Sequence, residues 1–144
     1  MSFLLDTNVV SEWVKPQPHP QVVAWLREVD EDRVFLSVAS LAEIRRGVEL
    51  MSPGKRRDRL VSWVAGELPA RFEGRILDID GRIAEAWGVI MARGKKAGLN
   101  VGILDAFFAA TAEVHKLTLA TRNVPDFERI GIPLLNPWQS SLSG

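Results

Sequence analysis

Short apolar runs along the chain alternate with longer stretches in which apolar positions recur every three or four residues. Phe3-Leu4-Leu5 stops at Asp6-Thr7-Asn8, the pattern of a strand entering a helix. Val9, Val10 and Trp13 keep helical spacing as far as Pro16-Gln17-Pro18-His19-Pro20, where residues lacking an N–H cannot continue a helix. Val22, Leu26 and Val29 stripe a second helix. Arg33–Ser37 reads as a strand running directly into helix 38–50, with Leu41, Ile44 and Val48 in register. Ser52-Pro53-Gly54 divides that helix from another over 55–68, striped by Leu60, Val61, Val64 and Leu68, which predicts an αα-hairpin.

A third strand is predicted over 75–79, followed by a long helix bearing Ile83, Trp87, Ile90 and Met91. Arg93-Gly94-Lys95-Lys96-Ala97-Gly98 closes it with the positive charges a helix end favours. Ile103, Phe107, Ala110 and Val114 line a further helix, whose alanines permit close packing on a sheet. Strand 117–121, a helical turn over 124–129 and an edge strand at 133–135 complete the pattern. Strands alternating with helices predict parallel pairing. The expected fold is a three-layer α/β/α sandwich with a short, mostly parallel sheet of four to five strands and a helical hairpin, in one domain spanning 1–144.

Composition narrows the class further. With 47% apolar and 25% charged residues, the chain is neither disordered nor fibrous. The absence of Cys excludes a disulfide framework, a thiolate zinc site, an iron–sulfur cluster and a thiol nucleophile. Eighteen basic and eighteen acidic side chains cancel, so any polyanion site must come from local arrangement. No run approaches the roughly 18 apolar residues of a membrane span, and the first residues lack a basic signal-peptide region. A cytoplasmic protein that does not contact membranes is expected. His19 and His115 share no ligand spacing, so a histidine metal site is not expected.

The carboxylates are placed more informatively than they are numerous. In an open parallel sheet, ligands bind beyond the carboxyl ends of the strands. Asp6 ends the first strand, Glu43 lies in the helix after the second, Asp105 opens the alanine-rich helix, and Asn123 and Asp126 follow the fourth strand. Each also has a structural reading. Asp6 suits an N-cap, Ser40-Leu41-Ala42-Glu43 matches a capping box, Asp105 complements a helix dipole, and Asn123-Val124-Pro125-Asp126 resembles a capped turn. Their coincidence at one edge outweighs the caps. Crowded carboxylates must bind a proton or a cation, and hard oxygen ligands suit Mg²⁺ or Mn²⁺. Arg45, Arg46 and Arg122 adjoin these acids and could meet a substrate phosphate. The basic residues at 55–59 and 93–96 read as solvated faces, the five tryptophans as packing, and Asp80 as an N-cap rather than part of a phosphotransfer motif.

At these residues the chain resembles the PIN-domain family and, within it, VapC-type (FitB-like) toxins of bacterial type II toxin–antitoxin systems. The resemblance rests on Phe3–Glu12, Ser37–Gly47, Leu104–Ala112, Leu119–Phe127 and the closing Leu135-Asn136-Pro137-Trp138, in order along nearly the whole chain. It implies a Mg²⁺-dependent endoribonuclease, with Mn²⁺ as a substitute, that cleaves transfer or ribosomal RNA. Asp6 and Asp105 match the principal metal-binding acids and Glu43 the third. Asn123 stands where many relatives have Asp, and Asp126, three residues on, ranks ahead of it on charge. Thr7 matches the hydroxyl beside the first acid, which orients water. Asn100-Val101-Gly102 departs from the Pro-containing approach to the third motif. The resemblance further implies homodimerisation, a VapB-type antitoxin partner, and operator DNA contacted only through that antitoxin. Two other readings stand beside it: a Mg²⁺-dependent phosphotransfer domain of phosphatase or receiver type, and an inactive PIN-like module that binds RNA or protein.

Overall fold

A computed structural model of the chain describes residues 1–139; positions 140–144 of the predicted domain lie outside the described residues. Among the described residues five strands form one parallel sheet: β1 (Phe3–Leu5), β2 (Val34–Ser37), β3 (Ile76–Leu77), β4 (Thr118–Ala120) and β5 (Leu134–Leu135). Their spatial order is β3-β2-β1-β4-β5. The chain therefore builds outward from β1 in one direction through β2 and β3, then returns to β1's other side with β4. That reversal is a switch point, and it falls between β1 and β4.

The predicted architecture is the one observed. Alternation along the strands splits the apolar side chains between two layers. Phe3, Leu5, Val34 and Leu36 pack with Val9, Val10, Val22, Trp25, Leu68 and Phe72 on one face. Leu4 and Leu119 pack with Ile83, Ile90, Phe108, Ala109, Ala110 and Phe127 on the other. The first layer is covered by α1 (Thr7–Val10) and α2 (Pro20–Glu28). The second is covered chiefly by α6 (Gly81–Lys96) and α7 (Ile103–His115). Buried Ala106, Ala109, Ala110 and Ala112 keep α7 slim. Val101 lies 2.9 Å from where a Cβ on Gly94 would stand, so glycine there lets the 97–102 segment fold back onto α6 ahead of Asp105.

Beyond shifts of a residue at element ends, three departures from expectation each have a local reason. The predicted strand 75–79 contracts to Ile76–Leu77 because its partner β2 stops at Ser37, which pairs with Leu77 and then caps a helix. Helix 55–68 becomes α4 (Lys55–Ser62), a π-helical turn (Trp63–Glu67) and α5 (Leu68–Arg71). Pro69 cannot donate its backbone bond, and the widened turn before it absorbs the loss. Finally, α1 tightens into a 3₁₀ turn at Ser11–Val14 before the proline-rich break. The helix over 38–50 is observed as α3 (Val38–Glu49), packed against α4 across the 50–54 connection. The predicted helical turn is α8 (Val124–Glu128). Among the described residues no helix is long and apolar enough to cross a membrane.

Candidate functional site

The switch point brings the first and fourth strands side by side, with Leu5 paired to Ala120 and the Asp6 N–H donating to the Ala120 carbonyl at 2.9 Å. The residues immediately beyond those strands are therefore neighbours. Asp6 is 5% exposed and caps α1, accepting the Thr7 N–H on Oδ1 at 2.7 Å. Its Oδ2 accepts the Thr121 hydroxyl at 2.7 Å and the Asn8 amide at 3.3 Å. Capping and a candidate site position are thus combined in one residue.

Glu43 is reached from a different element. Helix α3 starts at Val38, with the Ser37 hydroxyl accepting the Ala39 N–H at 3.0 Å. This start precludes the Ser40–Glu43 capping box, and the Glu43 carboxylate turns instead to accept the Thr7 hydroxyl at 2.6 Å. Ser40 Oγ lies 3.1 Å from the same hydroxyl. Asp105 sits in the first turn of α7, half-buried. Asp126 is exposed on α8, and Asn123 precedes that helix without capping it through its side chain. The capped-turn reading of Asn123 is therefore corrected: its backbone N–H donates to Thr121 Oγ at 3.0 Å, and its side chain is left exposed.

Electrostatics bind these acids into one group. Burial pushes the Asp6 carboxyl up to about 6; bonds from Thr121 and Thr7 pull against that rise, while the charges of Asp105 and Glu43 add to it. Asp105 is likewise raised, first by burial and then by Asp126 and Glu43. Asp6 and Asp105 thus both feel neighbouring carboxylates, and no basic side chain contributes to either shift. Among the described residues no three such side chains stand close enough to cage an ion as they are. The arrangement is an open acidic basin whose oxygen donors and unrelieved repulsion fit a divalent cation.

The flanking arginines divide. Two positions along a helix from Glu43, Arg45 faces away from it and pairs with Glu49 at 2.6 Å. Arg46, three positions on, shares Glu43's side and is exposed. The Arg122 guanidinium lies 5.3 Å over the Trp138 ring, while its backbone N–H reaches Asn8 Oδ1 at 3.4 Å. A groove of about 260 Å³ leads from Thr7 and Glu43 past Ile44, Leu60 and Trp63. Trp25 is buried against Phe3, and Trp87 stacks on Phe107, as packing residues do. Sequence reasoning overlooked Asn8 and Thr121. Their signal was position alone: Asn8 stands three residues, and Thr121 one residue, beyond a strand that ends at the switch point.

Comparison with known proteins agrees with this geometry. The chain matches the PIN domain over residues 3–133. It is 39% identical over 135 residues to the toxin FitB of Neisseria gonorrhoeae, covering 94% of this chain and 97% of that protein. It is 36% identical over 136 residues to the VapC ribonuclease Y4jK of Sinorhizobium fredii, covering 94% and 97% respectively. A solved structure of FitAB bound to an IR36 DNA fragment contains a chain that matches with a TM-score of 0.90 at 37% identity, over 99% of both chains. Fold, motif order and similarity converge: this chain belongs to the PIN-domain family, alongside toxins of the FitB and VapC kind.

Proposed function

We propose that the protein is a divalent-metal-dependent endoribonuclease, using Mg²⁺ with Mn²⁺ as a substitute, and that it serves as the toxin of a toxin–antitoxin pair. The observation that carries this reading is the convergence of Asp6, Glu43 and Asp105 beyond the switch point, where burial first, and then the charges of Asp105 and Glu43, raise the Asp6 carboxyl to about 6. The names of relatives, one a toxin and one a ribonuclease, point the same way. Asp6, Glu43, Asp105 and Asp126 would hold the ion, and the neutral amide of Asn123 would be an auxiliary oxygen donor. When bound, the ion neutralises phosphodiester charge and makes water a competent nucleophile.

The chain's own residues prepare that chemistry. Three donors fix the Asp6 carboxylate, and the Thr7 hydroxyl holds Glu43 toward the same basin. No covalent protein nucleophile is required. Arg46 and Arg122 are placed to attract substrate phosphates, a contact that salt would weaken. Arg45, engaged by Glu49, contributes less. The substrate would be transfer or ribosomal RNA. An antitoxin segment seated along the groove beside Glu43 would cover the acids. The solved FitAB structure holds a DNA fragment, in keeping with operator DNA contacted through the antitoxin; the toxin itself would be a homodimer.

The test compares wild type with Asp6→Asn and Asp105→Asn in cleavage of labelled transfer and ribosomal RNA with and without Mg²⁺. Both variants should keep the wild-type far-ultraviolet circular dichroism. Both should lose cleavage by more than the roughly hundredfold that removal of an outer-sphere partner costs. Equal cleavage by all three proteins refutes the proposal.

A further inference from the structure

We infer that Thr121 is a positioning residue for the acidic basin, with one hydroxyl locking the first acid to the loop that carries the fourth. The inference rests on the nuclease reading above, and it concerns a residue outside the set of acids.

Thr121 is fully buried at the end of β4, and its own N–H is spent on the Leu135 carbonyl at 3.0 Å. The side chain is therefore held in place from the next strand. A hydroxyl has one hydrogen and two lone pairs. The backbone N–H of Asn123 can only donate, so Thr121 Oγ accepts it, at 3.0 Å. The hydrogen of Thr121 is thus free to point at Asp6 Oδ2, 2.7 Å away. The two bonds have a forced direction and run in series from the Asn123 backbone to Thr121 to Asp6. Residues 6 and 121, which are 115 positions apart in the chain, become one rigid unit.

The consequence is geometric. Without it, Asp6 would be held only from its own turn, by the Thr7 N–H on Oδ1 and by the more distant Asn8 amide on Oδ2. Its second oxygen is oriented chiefly by Thr121. The same hydroxyl ends the 121–123 turn at a fixed distance from Asp6 and so sets where α8, with Asp126, begins. A residue that merely filled the core would need only its methyl group. Thr121 places its oxygen between two elements of the basin, the arrangement by which outer partners orient metal ligands.

Binding of Mn²⁺ alone, followed by calorimetry on the full chain without RNA, separates the possibilities. Thr121→Val keeps the shape and removes the hydroxyl; it should weaken Mn²⁺ affinity by about ten- to a hundredfold. Thr121→Ser keeps the hydroxyl and should stay within about threefold of wild type. If the valine variant fails to fold, Thr121→Ala substitutes for it, because alanine and serine both lose the methyl and only alanine loses the hydroxyl. Alanine weaker than serine by tenfold or more supports the inference. A folded valine variant, or an alanine variant, that binds Mn²⁺ as tightly as the serine variant overturns it. A wild-type protein that takes up no Mn²⁺ overturns the metal reading itself, a result distinct from equal binding by all variants.

Discussion

Among the described residues two aspartates cap α-helices, and their surroundings make them opposites. Asp80 stands before α6 and accepts the Ile83 N–H at 3.1 Å on the exposed side of the molecule. That bond, with help from Arg82, holds its carboxyl below the usual range. Asp6 stands before α1 and accepts the Thr7 N–H at 2.7 Å, yet its carboxyl is raised to about 6. The local motif is the same. The difference is that Asp6 is sealed from water and faces two more carboxylates, whereas Asp80 has water and an arginine. A cap becomes a candidate for chemistry when the fold surrounds it with like charge that only a cation relieves.

The largest expected contrast follows directly. Asp6→Asn should eliminate metal-dependent RNA cleavage, while Asp80→Ala should leave the cleavage rate unchanged and only lower the melting temperature slightly through the lost cap. Loss of cleavage in Asp80→Ala would remove the distinction.

The metal-free protein should show the same contrast in its response to pH. Because the folded-state carboxyl of Asp6 is raised from 3.8 to about 6, its contribution to stability is fully present below about pH 4 and is lost as pH rises through about 6. The effect is on the order of 3 kcal/mol. Urea unfolding of metal-free protein should therefore show a fall in stability between pH 4.5 and pH 7 that Asp6→Asn flattens. Asp80 acts in the opposite sense: its folded-state carboxyl is lowered, so its contribution is present above the ordinary carboxylate range and lost on acidification. No change in urea midpoint across pH 4.5–7 in wild type would contradict the account of Asp6. The smallest effects belong to the arginines. Arg46→Ala and Arg122→Ala should raise the KM for RNA several-fold, with a salt dependence that weakens accordingly. Arg45→Ala, already paired with Glu49, should change KM less than twofold.

The order of strands and helices was legible because each depends on short-range patterning. Phe3-Leu4-Leu5 before Asp6, the Ser37 cap and the alanines of α7 carry their structure in neighbouring residues. Pro69 stands just past the predicted helix 55–68, and how the chain absorbs it, in a π-helical turn, was not legible in the apolar stripe. The contraction of β3 depended on where β2 stops, a fact about a partner and not about residues 75–79 themselves. Glu43 offered two local partners, a capping box or open water, and took a third, the hydroxyl of Thr7, 36 residues away.

The linear code by itself determined which residues could be buried, where helices could start, and that several acids would lie at strand ends. Tertiary structure alone decided which of those acids meet. The reversal of strand order beside β1 set Ala120 against Leu5, and so put Thr121 on Asp6 and Asp105 within reach of its charge. Hydrophobic patterning acts over a few residues, whereas charge repulsion and burial depend on distances that exist only once the sheet has assembled.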